Sequence, residues 1–236
     1  TDDFRPKQYY QQANQVEVTF GLRSFHNHHY GDGLVYGLCT GFQCCTCNLH
    51  QGWPKFVNHL WMASSEGGLA AMAYGPCRVT AKVAGGAEVT IVEETHYPFK
   101  ETVTFAIEAK TPVEFPLHLR IPAWCDSATL AINGRAEPTP GAGRVAVLKR
   151  AWAPGDRVTL TLPMALRKSY WHERSVSIER GPLVYALRIE EEWSEVRPED
   201  RQFGYRECRP KTPWNYALLE SDLKNADAAF GVVKSE

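Results

Sequence analysis

From Leu69 onward the chain alternates apolar and polar residues in short runs: LAAMAY, CRVTAKV, AEVTIVEETHY, ETVTFAIEAK, FPLHLRIP, ATLAING, RVAVLKRAW, DRVTLTLPM, SVSIER and PLVYALRI. Each run is rich in Val, Thr, Ile and Leu and has the period of two that places one face inward and the other in water. Gly-Gly, Asn-Gly and Pro-Gly punctuate the runs at the spacing of an antiparallel sandwich. Asn133-Gly134 and Pro154-Gly155-Asp156 carry the clearest turn chemistry. The pattern predicts a mainly β chain whose antiparallel β-sandwich fills residues 69–193.

The chain before Leu69 reads differently. Residues 1–14 are polar with no clear period, and Val16, Val18 and Phe20 share one face of a short predicted strand. Pro54 suits the first turn of a helix, where its missing N–H costs nothing. Phe56, Val57, Leu60 and Trp61 then form one apolar stripe, predicting a helix that ends near residues 64–68. Beyond Glu190 the pattern is irregular, so residues 194–236 read as a loop-rich segment that starts a further β element.

Composition narrows the class. With 44% hydrophobic and 22% charged residues among 236, the chain is an ordinary globular one, long enough for one large or two modest cores. A formal charge of −1 lacks the basic surface that phosphate binding needs, so no nucleic-acid partner is expected. No run approaches the roughly 20 apolar residues of a membrane span, and the first residues carry no signal-peptide pattern. The reading is a soluble protein, cytoplasmic, or exported to the periplasm if a signal lies upstream. Oligomeric state is not legible.

Chemistry concentrates between Cys39 and Trp61, which holds four of the seven cysteines. Cys44 and Cys45 are adjacent, and neighbouring cysteines rarely bridge each other without strain. Metal binding or nucleophilic sulfur explains such a pair more easily, although a single cysteine is often a small buried hydrophobe. Cys47 reads as packing or as an alternative ligand. His26, His28 and His29 fall in a loop of turn formers, where they read as solvated residues, substrate contacts or metal ligands. His50 and Gln51 are candidates for contacting sugar hydroxyls or for capping the helix. Trp53 reads as a platform for a sugar face or, as its spacing favours, an anchor of the helix to the core.

The ordered segments CCTCNLHQGWPKFVNHLW, HYPF at 96–99, LRIPAW at 119–124, Ile132-Asn133-Gly134, W-x-P-G-D at 152–156 and RGPLVYAL at 180–187 resemble glycoside hydrolase family 127, the β-L-arabinofuranosidases. The resemblance implies an (α/α)6 barrel followed by β-sandwich domains. Residues 1–68 would then be the C-terminal end of the helical catalytic domain, its remainder lying outside this chain. It also implies a retaining glycosidase with zinc as cofactor and a carbohydrate as its partner. Cys44 would be nucleophile and zinc ligand, and Cys45 a second ligand. The family's Glu-x-Cys ligand pair and its acid/base glutamate have no counterpart before Cys44, where Glu17 is followed by Val18 and Thr19. The fragment alone is therefore expected to be inactive. The alternative is a non-catalytic carbohydrate-binding or structural sandwich.

Overall fold

The computed structural model describes residues 16–19, 35–37, 48, 50–200 and 203–233. They fall in two compact units, residues 1–54 with 187–218 and residues 55–186 with 219–236. The described strands are β1 (Tyr36–Gly37), β2 (Trp61–Ala63), β3 (Leu69–Ala71), β4 (Cys77–Val83), β5 (Ala87–Thr95), β6 (Thr102–Ala109), β7 (Val113–Arg120) and β8 (Thr129–Ile132). They continue with β9 (Arg135–Glu137), β10 (Val145–Trp152), β11 (Arg157–Thr161), β12 (Leu166–Tyr170), β13 (Val176–Arg180), β14 (Leu183–Tyr185), β15 (Glu191–Val196) and β16 (Tyr205–Pro210). Short helices span Gly52–Asn58, Glu220–Lys224 and Ala226–Ala229.

The larger unit is the expected sandwich. A six-stranded sheet runs β4-β5-β6-β11-β8-β9 and a four-stranded sheet runs β10-β7-β3-β2. All pairs are antiparallel except β3 with β7. Alternation decides which side chains meet. Val103, Phe105 and Ile107 of β6 and Phe115, Leu117 and Leu119 of β7 point inward and share one core. Trp61 closes edge-on against Phe105, ring centroids 5.7 Å apart, so the two sheets touch through aromatic contact as well as aliphatic packing.

Turn chemistry works as the sequence predicts. Asn133 (φ 50°) and Gly134 (φ 79°) are both left-handed, the demand of a two-residue hairpin turn, and they join β8 to β9. Asn133 also reaches the next turn: its Nδ2 donates to Asp156 Oδ1 at 2.8 Å, and its Oδ1 accepts from Arg157 N at 2.9 Å. Asp156 Oδ2 accepts from Ala153 N at 2.9 Å. Burial works to raise the Asp156 pKa, but the bonds from Asn133 and Ala153, with Arg150 nearby, outweigh it and hold the carboxyl below its ordinary value. The Asn-Gly and Pro-Gly-Asp motifs are thus one knot.

The junction into the sandwich departs from the periodicity. The helix stops at Asn58, not near 64–68. His59 N and Leu60 N bond back to the carbonyls of Phe56 and Val57, tightening the last turn, and Trp61 then starts β2 against β3. Leu60 and Trp61 are therefore covered by sheet, whereas Phe56 and Val57 stay exposed. Within the larger unit sheet pairing begins at Trp61, and in the smaller unit Val18 and β1 already pair, so strand structure falls inside the segment read as the end of a helical domain. No (α/α)6 barrel helix is seen among the described residues.

In the smaller unit β1, β16 and β15 form an antiparallel sheet, with the Tyr36 ring tilted on Trp193 at 5.0 Å. Val18 and Cys208 exchange both backbone hydrogen bonds at 2.8 Å, so residues 16–19 contribute a single bridge of the predicted strand. Phe20 lies outside the described residues. The stretch beyond Glu190 is better ordered than its composition suggests, because β15 and β16 pair over six residues.

Candidate functional site

Cys44 and Cys45 lie outside the described residues, as do Cys39, Cys47, His26, His28 and His29. The structure describes the turn that leaves them. Gln51 N donates to Asn48 O at 3.0 Å and Gln51 Nε2 to Asn48 Oδ1 at 2.8 Å, closing a turn directly before the Gly52–Asn58 helix. Gln51 thus engages its carboxamide with the Asn48 side chain, while the neighbouring His50 is exposed. Trp53 is 74% exposed, so it is not the core anchor that its spacing suggested. Pro54 sits in the first turn as predicted, but a seven-residue helix with no buried side chain gives only two turns of aligned dipole.

Among the described residues no group of three or more His, Cys, Asp or Glu side chains is placed to hold a metal. Cys77, Cys125 and Cys208 are free thiols in separate places. Burial raises the pKa of each, that of Cys77 to about 11, and none is an activated nucleophile. The described residues therefore supply no zinc site of their own.

Sequence reading missed a buried carboxylate. Glu93 is 2% exposed and continues the inward face of β5 after Val89 and Ile91. Its Oε2 accepts from Trp61 Nε1 at 3.0 Å and from the Cys77 thiol at 3.5 Å, and its Oε1 accepts from Gly75 N at 3.0 Å. Beside it Tyr74 OH donates to Arg120 O at 2.6 Å, and Arg120 Nε donates to Met72 O. Burial raises the Glu93 pKa, and the bonds from Gly75, Cys77 and Trp61 pull it back only as far as about 7. Closed off by its donors, Glu93 ties β2 and the 74–77 loop to β5. The available signal was its register: an acid in phase with Val89 and Ile91.

A pH dependence follows from this carboxyl. Its pKa is about 7 in the folded protein against an ordinary 4.5 for glutamate, so its contribution is complete below pH 4.5 and lost as pH rises towards 7. The loss is about 3 kcal/mol. Urea midpoints of the parent and Glu93→Gln, measured at pH 5 and 7.5, are expected to show the fall in the parent and little of it in the variant. Equal slopes would exclude Glu93 as the source.

One open cleft of about 490 Å³ lies where the edge strands β9 and β10 face each other, with Glu137, Val147, Lys149 and Arg150 in its wall. It holds one carboxylate, so it lacks the pair that glycoside hydrolysis uses.

Residues 68–164 match the family model of the β-L-arabinofuranosidase GH127 middle domain. Among solved structures it is similar to a GH127 β-L-arabinofuranosidase from Geobacillus stearothermophilus T6, with 26% identity, TM-score 0.56, and coverage of 75% of this chain and 32% of that one. A glycoside hydrolase matches at 20% identity and TM-score 0.63, covering 86% of this chain and 41% of its own. A GH127 β-arabinofuranosidase matches at 18% identity and TM-score 0.54, covering 70% and 31%. The latter two speak for the fold alone. This chain spans between 31% and 41% of the length of these structures. A search of curated proteins finds no match.

Proposed function

We propose that this chain is the C-terminal part of a retaining glycoside hydrolase that releases L-arabinofuranose or a related sugar from plant polysaccharides. The match of residues 68–164 to the GH127 middle domain carries this reading, with the Cys44-Cys45 segment preceding it in the expected order. Cys44 is assigned as nucleophile. Its thiolate attacks the anomeric carbon, the glycosidic C–O bond breaks, and the leaving oxygen takes a proton from an acid outside this chain; water then cleaves the C–S bond. Zinc, when bound, would favour thiolate over thiol, and Cys44 and Cys45 are its proposed ligands here. Of the two candidate sugar contacts, exposed His50 suits a hydroxyl contact, whereas the Gln51 carboxamide donates to Asn48.

Metal content tests the ligand assignment independently of turnover. The intact protein is expected to carry about one zinc per chain, and Cys45→Ser to lose most of it during dialysis. Full retention of zinc by Cys45→Ser would remove Cys45 from the ligand set. Hydrolysis of an aryl β-L-arabinofuranoside by the intact protein tests the activity itself.

A further inference from the structure

The sheet β12-β13-β14 has two unlike faces. On one, Lys168 Nζ donates to Leu223 O, and the buried Leu223 marks where the C-terminal helix covers it. The other face is laid out in register as Arg167–Glu179–Val184, then Ser169–Ser177, then Trp171 beside Ser175. It carries an indole that is 65% exposed, a large aromatic surface left in water.

That indole is held, not loose. Trp171 Nε1 donates to Ser169 Oγ at 2.8 Å, and Ser169 Oγ donates to Glu179 Oε1 at 2.5 Å. Glu179 Oε2 pairs with Arg167 Nη2 at 3.1 Å. The hairpin tip after Trp171 is fixed by two successive left-handed residues, Glu173 (φ 51°) and Arg174 (φ 60°), a conformation that disfavours non-glycine side chains. Fixing an aromatic platform in this way removes the entropy that an ordinary surface side chain would lose on binding.

We propose that this face is a binding site for a neutral oligosaccharide, separate from the cysteine chemistry. The face selects that occupant. The one strand cation on this face, Arg167, is neutralised by Glu179 at 3.1 Å, and at the tip Glu173 offsets Arg174 and lies beside His172, so the face has no excess positive charge for phosphate or another polyanion. Apart from Trp171 and Val184 it is polar, too poor in apolar area for a stable protein interface. A sugar ring offers what remains: a C–H face for the indole, and hydroxyls for Ser177, Arg167 and the carboxylate of Glu179. The sugar class, arabinose-containing polysaccharide, rests on the function proposed above; the face does not.

Affinity electrophoresis of the intact protein in gels containing arabinan or xylan tests it, with Cys44→Ser as the parent so that no ligand is consumed. Arabinan is expected to retard the parent, Trp171→Ala to bind about tenfold more weakly, and Trp171→Phe to retain most of the retardation. Because Trp171 is exposed, thermal melts of these variants should coincide with the parent's. Retardation of Trp171→Ala equal to the parent's, or of no protein in either gel, would overturn the proposal. Retardation by xylan alone, lost in Trp171→Ala, would uphold the face and remove the arabinose assignment.

Discussion

Cys44→Ser in the intact protein is expected to lower kcat/KM on an aryl β-L-arabinofuranoside by about 10⁴-fold, or roughly 5–6 kcal/mol of transition-state stabilisation. The size follows from the atom that is lost. A thiolate is a strong nucleophile at neutral pH, whereas a serine hydroxyl needs a neighbouring base to take its proton. A serine at this position would also be a poorer ligand for a soft-accepting metal, so both halves of the proposed chemistry fail together. Cys47→Ser provides the contrast, since Cys47 is read first as packing; its activity is expected to stay within about tenfold of the parent's. Thermal melts of both variants separate loss of chemistry from loss of fold. Turnover by Cys44→Ser at the parental rate would remove Cys44 as nucleophile.

Legibility in the sequence followed the range of the forces involved. Strands β4 to β11 were readable because alternation is a local pattern that a two-sided core enforces residue by residue. The Asn-Gly and Pro-Gly-Asp turns were readable because backbone conformation restricts their residue types, although nothing local announced that Asn133 and Asp156 would hold each other. The stripe Phe56, Val57, Leu60, Trp61 failed for the converse reason. Six residues fit a helix and the start of a strand almost equally, and the deciding partners were distant: Glu93 for the Trp61 indole and β3 for its backbone. Glu93 itself was passed over because charge marks a surface in most strands, and only its phase with Val89 and Ile91 says otherwise. Cys44 and Cys45 lie outside the described residues, and their chemistry is the proposal made above.

Stability should be most sensitive at Trp152, the first residue of the W-x-P-G-D motif. Its side chain is fully buried, its ring lies 6.0 Å from Phe115, and its Nε1 donates to Phe115 O at 3.0 Å. Arg150 sits over the outer side of the ring at 5.3 Å. Trp152→Ala removes the largest side chain of the core and costs about 3–5 kcal/mol in transfer and cavity terms. It also leaves the Phe115 carbonyl without this donor, adding about 1 kcal/mol. That sum is a large share of the 5–15 kcal/mol that holds a typical domain together. Trp152→Phe keeps most of the volume and the contact with Phe115 but not the N–H, so it is expected to cost only about 1–2 kcal/mol. Urea denaturation should therefore order the midpoints as parent, Trp152→Phe, Trp152→Ala, with the last far below the others. Coincident midpoints for parent and Trp152→Ala would mean that the core does not depend on this ring.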